Sequence, residues 1–191
     1  MVRESSELML RWDGGVEFPF DAGALCLELP TTGGVGSYLR HEALRTPDDL
    51  ARWLADCRLR LTDVRVVDDD LPAARQLRSA IWSAAHAAMT GRPLPRPSVG
   101  MINELAARPA PIPLLAGDRR SWAIATTGAQ ALSAIARDAI DLFGGPYAKR
   151  VRMCTAPDCE LIFVDLSRPG KRRWCSMERC GNRAKQRARR R

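Results

Sequence analysis

Two cysteine pairs near the end of the chain constrain its fold more than any other feature. Cys154 and Cys159 are separated by four residues, Cys175 and Cys180 by another four, and fifteen residues lie between the pairs. Each pair can turn two sulfurs toward one point, and the connecting chain can bring the two points together, which is the pattern of a tetrahedral zinc site. So short a segment buries too little apolar surface to fold alone. One Zn2+, worth on the order of 10–16 kcal/mol when bound structurally, supplies the missing stabilisation. Four thiolates leave no coordination position for water or substrate, so a structural metal is expected and not a catalytic one.

Disulfides and unrelated buried thiols are the competing readings. The opening MVRESSELMLRWDGG is polar and mixed, unlike a secretory signal, and no apolar run is long enough to span a bilayer. A reducing, cytoplasmic setting is therefore expected, which disfavours disulfides. The paired spacing disfavours coincidence. Cys26 and Cys57 stand alone and are expected to be core thiols.

Around the cysteines the order of elements suggests a treble-clef-like finger. TAPD forms a knuckle, with Pro157 and Asp158 suited to a tight turn. ELIFVD reads as a strand, SRPGK as a turn, and RRW (172–174) as a return strand. The second pair then opens a helix. Gly181 is expected to permit close backbone approach beside the last ligand, and Trp174 to anchor the small core rather than to stack on a base.

The charge is concentrated in the same region. Residues 149–191 hold 14 Lys/Arg and 4 Asp/Glu, whereas the rest of the chain holds 16 and 18, within a net charge of +8. That asymmetry points to a local polyanion-binding surface. On a regular helix, Arg179, Arg187, Arg190 and Arg191 fall within about 80° of Arg183, with Lys185 and Arg189 on the other side. Arg172 and Arg173 precede Cys175, where the metal would fix them. These residues are the candidate nucleic-acid contacts, on phosphates and, in a major groove, on guanine edges. A solvated basic tail is the alternative.

The length of 191 residues accommodates an ordinary domain plus a small module. Residues 1–145 read as an α+β domain, mostly helical with a few short strands, and 146–191 as the finger. An apolar strand is expected at 24–29, stopped by Pro30. Gly33, Gly34 and Gly36 follow in a loop without the Lys-Ser/Thr of a phosphate-binding loop. Thr46 caps a helix that carries Pro47 at its first position and the stripe Leu50, Trp53, Leu54, Cys57. A second helix spans 71–90, with Asp70 as its cap, and a third spans 98–105. A hairpin is expected around Gly117–Arg120, and a buried helix over Gly128–Phe143 ended by Gly144-Gly145-Pro146.

The run FVDLSRPGKRRWCSMERCGNRAKQR resembles the CGNR zinc finger, whose tetrapeptide stands here as Cys180-Gly181-Asn182-Arg183. The resemblance implies Asn182 as a structural support of the finger. FDAGALCLELPTT and TPDDLARWL resemble the opening of the ABATE domain that precedes this finger in a family of stress-responsive transcriptional regulators. Thr31-Thr32 stands where an Asn-Thr pair is expected.

No nucleophile elbow, cofactor fingerprint or zinc-protease pattern is present. His86 reads as a core residue, and Asp68-Asp69-Asp70 as a turn. The expectation is a non-enzymatic DNA-binding regulator, nucleoid-associated, whose first domain senses a signal or mediates assembly, with a homodimer as the candidate assembly. A protein-interaction module, an RNA-binding module and a thiolate–zinc redox switch are the alternatives.

Overall fold

The computed structural model describes residues 8–11, 17–39, 41–123 and 126–189. Two of its helices begin at reciprocal capping boxes. Thr46 Oγ1 accepts the Asp49 amide, and the Asp49 carboxylate accepts the Thr46 amide at 2.8 Å, a reciprocal box that starts α1 (Pro47–Asp56). Leu50, Trp53, Leu54 and Cys57 are all buried, as their helical spacing predicts. The long α2 (Asp70–Met89) and the shorter α3 (Arg96–Ala106) follow. A second capping box, between Thr127 and Gln130, starts α4 (Gly128–Phe143).

These helices pack into one core through Leu77 and Ile81 of α2, Ile102 and Leu105 of α3, and Leu132 and Ile135 of α4. Each such side chain contributes about 1.5–3 kcal/mol when fully buried. The strands are short and paired in twos. β1 (Leu8–Arg11) and β2 (Glu17–Phe20) are antiparallel, β3 (Val64–Arg65) and β6 (Thr126–Thr127) are parallel, and β4 (Pro113–Ala116) and β5 (Arg119–Trp122) form a hairpin. Gly117, at φ 64°, makes the two-residue turn of that hairpin. Arg119 and Arg120 belong to the strand and not to the turn. The architecture is α+β and mostly helical.

Residues 24–29 are not a strand. Cys26–Thr32 forms a 3-10 helix in which the Thr31 and Thr32 hydroxyls donate to the Glu28 and Leu29 carbonyls at 2.6 and 2.7 Å. Those local bonds compete with a strand ladder, and Asp138 of α4 accepts the Cys26 amide at 2.7 Å. Asp70 differs from expectation too. It lies inside the first turn of α2, where its carboxylate accepts the Val67 amide at 2.9 Å, and the residue at the cap, Asp69, makes no side-chain bond.

After α4 the chain enters β7 (Val151–Met153), which pairs antiparallel with β8 (Ile162–Val164), and ends in α5 (Asn182–Arg189). Val151 and Phe163 are fully buried in the same apolar cluster as the helices. The Val164 amide donates to the Ala22 carbonyl at 2.8 Å. The Glu160 amide donates to the Tyr38 hydroxyl at 3.1 Å. The C-terminal region is thus seated on the loop that carries Tyr38.

Arg78, almost fully buried, pins that loop. Its guanidinium donates to Thr32 Oγ1 at 2.9 Å and to the two Glu42 oxygens at 2.8 and 2.5 Å. Gly34, at φ 69°, passes so close that a β-carbon would lie 2.0 Å from Arg78 Nη2.

Burial opposes ionisation of Glu42, but the hydrogen bonds and charge of Arg78 outweigh it and hold the carboxyl below its ordinary 4.5. The stability this group lends is complete above that pH and is lost as pH falls. Glu42→Gln removes the charge partner of the buried Arg78 and should cost roughly 3 kcal/mol at pH 7. Its deficit relative to the parent, followed by urea unfolding, should shrink steadily below about pH 4.5.

Candidate metal centre and nucleic-acid interface

The β7–β8 hairpin brings the first cysteine pair together. Cys154 follows β7, Cys159 precedes β8, and the Cys154 amide donates to the Leu161 carbonyl at 2.9 Å. Between them the Cys159 amide donates to the Ala156 carbonyl at 3.1 Å, closing a turn through Pro157 and Asp158. Cys175 precedes a π-helical turn over Met177–Gly181 that contains Cys180 and runs directly into α5. Ser176 caps this turn by accepting the Glu178 amide at 3.2 Å. The Thr155 amide donates to the Arg173 carbonyl at 3.0 Å and ties the two halves together.

All four sulfurs are buried and lie within 4.8 Å of one another. Cys159 Sγ is 3.7 Å from Cys175 Sγ, which is 3.5 Å from Cys180 Sγ. A tetrahedron with zinc–sulfur bonds of 2.3 Å has edges of about 3.8 Å, so the cluster has the right size for one ion. Its protonation agrees. Hydrogen bonds from Cys159 and Cys175 hold the Cys154 thiol below its ordinary value, against the effect of burial. In return Cys154 raises the Cys159 and Cys175 thiols above their ordinary value. One thiol ionises easily and the next resist; a dication at the centre removes that resistance. The residues fit a structural Zn2+ held by Cys154, Cys159, Cys175 and Cys180. Cys26 and Cys57 are fully buried elsewhere, and burial raises both thiols.

The finger's hairpin differs from the expected one. The partner of β8 is β7, before the first cysteine, and Arg172-Arg173-Trp174 forms no strand. The buried Asp165 accounts for this. Its carboxylate accepts the Ser167 amide and hydroxyl at 3.0 and 2.6 Å and the Arg172 amide at 2.9 Å, which curls residues 165–172 into a loop.

The expected basic face is also divided. Arg172 points inward: its guanidinium stacks 4.1 Å from the Phe163 ring and donates to the carbonyls of Trp174, Cys175 and Asp21. Arg179 is buried, with Nη1 3.5 Å from Cys159 Sγ and its guanidinium over the Phe18 ring. Arg183 pairs with a carboxylate, with Nη1 2.7 Å from Asp158 Oδ2. Lys171, Arg173, Lys185, Arg187 and Arg189 are exposed. Arg190 and Arg191 lie outside the described residues.

Half-buried Trp174 lines two surface grooves. One also includes Lys171 and Arg173, and the other includes Arg183 and Arg187. Arg173 lies 5.0 Å over the Trp174 ring. A β-carbon on Gly181 would lie 2.6 Å from Met177 Sδ and 3.4 Å from Trp174 Cδ1, so what this glycine admits is a thioether and a ring edge, not backbone. Asn182 opens α5 and is exposed. The sequence did not disclose Tyr38 or Phe18 as neighbours of the centre, since each reaches it from a distant part of the chain, nor Asp158 of the knuckle as the partner of Arg183.

Four convergent cysteines on a knuckle and a helix start define a zinc-finger protein. The chain belongs to the ABATE family, described as "Putative stress-induced transcription regulator", whose model matches residues 23–146. Residues 150–191 match the CGNR zinc finger. No curated protein matches the chain. Among the described residues, no helix is long and apolar enough to cross a membrane.

Cys180→Ser should lower bound zinc from one per chain to well below one, measured by atomic absorption after desalting. It should also abolish cooperative unfolding of the finger, because metal binding supplies its folding free energy. Gly181→Ala should retain the metal, since the exposed end of Met177 can swing aside.

Proposed function

We propose that the protein is a DNA-binding transcriptional regulator and not an enzyme, with the finger and α5 making the DNA contact. The observation that carries this reading is the surface around Trp174 and α5. Lys171, Arg173, Lys185, Arg187 and Arg189 are exposed there on a segment anchored to the metal centre. Residues 184–189 of α5 extend away from the core with little cover, and a helix so presented suits a major groove. Phosphate contacts position such a helix, and arginines at base edges would supply sequence preference.

In this reading the N-terminal domain carries the signal input or the assembly contact. A 280 Å³ cavity bounded by Phe18, Thr32, Tyr38, Glu42 and, from the finger, Leu161 supports the first role. The β4–β5 hairpin, which leaves Leu114 and Leu115 48% and 80% exposed, supports the second as a homodimer contact.

Zinc-loaded protein should shift duplex DNA at low salt, with log affinity falling linearly against log salt. Lys185→Gln, Arg187→Gln and Arg173→Gln should each reduce the steepness by about 0.9. Absence of any shift with zinc bound would count decisively against the proposal. Displacement of the duplex by structured RNA at lower concentration would transfer the reading to RNA.

A further inference from the structure

Two arginines of the basic segment point back at the sulfur cluster. Arg179, 8% exposed, places Nη1 3.5 Å from Cys159 Sγ. Arg183 places Nη2 3.5 Å from Cys180 Sγ, while its two terminal nitrogens straddle the Asp158 carboxylate at 2.7 and 3.1 Å. Local geometry puts both in position. Arg179 sits beside Cys180 within the π-helical turn, and Arg183 lies one helical turn beyond it. Asp158, from the knuckle between Cys154 and Cys159, fixes the Arg183 fork in a bidentate grip.

Four thiolates around a dication carry a net charge of −2 in a buried setting, where uncompensated charge is costly. Two guanidiniums placed against ligand sulfurs offset part of that charge, and Asp158, paired with Arg183, lies at the exposed rim.

We propose that Arg179 and Arg183 are the charge-compensating donors of the metal centre, withdrawn from polyanion contact. Each gives an N–H to a ligand sulfur, Arg179 to one of the first pair and Arg183 to one of the second. The donated bonds draw electron density from the sulfurs and keep them poor nucleophiles. Arg179 also extends the centre to the N-terminal domain, because its guanidinium lies 4.9 Å over the Phe18 ring of β2. The proposal rests on the zinc reading of the site and is independent of DNA binding.

The test uses the full zinc-loaded chain and iodoacetamide, which a ligand sulfur attacks to form a carbon–sulfur bond with loss of iodide. Zinc release is followed with a metallochromic indicator, and alkylated cysteines are mapped by mass spectrometry. Arg179→Met and Arg183→Gln should each accelerate alkylation and release by about tenfold or more, the scale of one hydrogen bond to a charged group. The faster site should be Cys159 in the first variant and Cys180 in the second. Arg179→Lys should recover much of the protection, and Lys185→Gln should match the parent. On a heparin column Arg179→Met should elute at the parent's salt concentration, whereas Lys185→Gln should elute earlier.

Parent-like alkylation of zinc-loaded Arg179→Met and Arg183→Gln would overturn the proposal, as would earlier heparin elution of Arg179→Met with unchanged alkylation. If Arg179→Met fails to retain metal, recovery in Arg179→Lys supports a charge role. If both lose it, Arg183→Gln decides: faster alkylation at Cys180 supports the proposal, and no change overturns it. A parent protein that binds no DNA leaves every alkylation readout intact, so the two readings fail separately.

Discussion

Four buried sulfurs within 4.8 Å of one another are a state the chain can hold fully ionised only around a cation. The C-terminal region depends on that constraint. Its strands are three residues long and its helix eight, too short to persist by backbone hydrogen bonding alone. The Asp165 loop, the π-helical turn and the inward-facing Arg172 stand on the two cysteine pairs, which fix where the chain enters and leaves each element. Phe163 and Val151 then join the finger to the helical core, so the metal centre lies at the edge of one continuous apolar interior.

Much of this was legible in the sequence wherever a local rule decides the structure. The capping residue Thr46, the Gly117 turn and the paired cysteines each announce themselves within a few residues. Cys26–Thr32 did not. All of it but Thr31 is buried, Glu28 included, so it carries no alternation to separate strand from helix. Its start is held by Asp138, 112 residues away. The return strand was misplaced for a similar reason: the pairing competition was settled by Asp165, whose three accepted bonds are turn chemistry rather than strand pattern.

The arginines illustrate a different limit. A helical wheel drawn through 179–191 assumes uniform phase, but the π-helical turn over Met177–Gly181 takes in extra chain and rotates Arg179 relative to α5. A wheel also ignores everything outside the helix. Asp158 meets Arg183 from 25 residues earlier, and Cys159 draws Arg179 from 20 residues earlier. Positive charge was therefore readable as an amount but not as a direction. What faces solvent is a smaller set, dominated by Lys171, Arg173, Lys185, Arg187 and Arg189.

The hydrogen bonds from Val164 to Ala22 and from Glu160 to Tyr38 have a consequence for encounter with a polyanion. A finger joined through them does not tumble as a small module on a tether; it turns only with the whole 21.1 kDa body. Its rotational diffusion is that of the body, and productive collisions are correspondingly restricted. The uneven charge offsets this. Residues 149–191 hold ten more Lys/Arg than Asp/Glu, which exceeds the −2 of a zinc tetrathiolate, and the remainder holds two more Asp/Glu than Lys/Arg, so charge is unevenly distributed over the molecule. In the field of a polyanion that asymmetry rotates the basic pole forward before contact, and added salt weakens the torque within a Debye length of about 8 Å at physiological ionic strength.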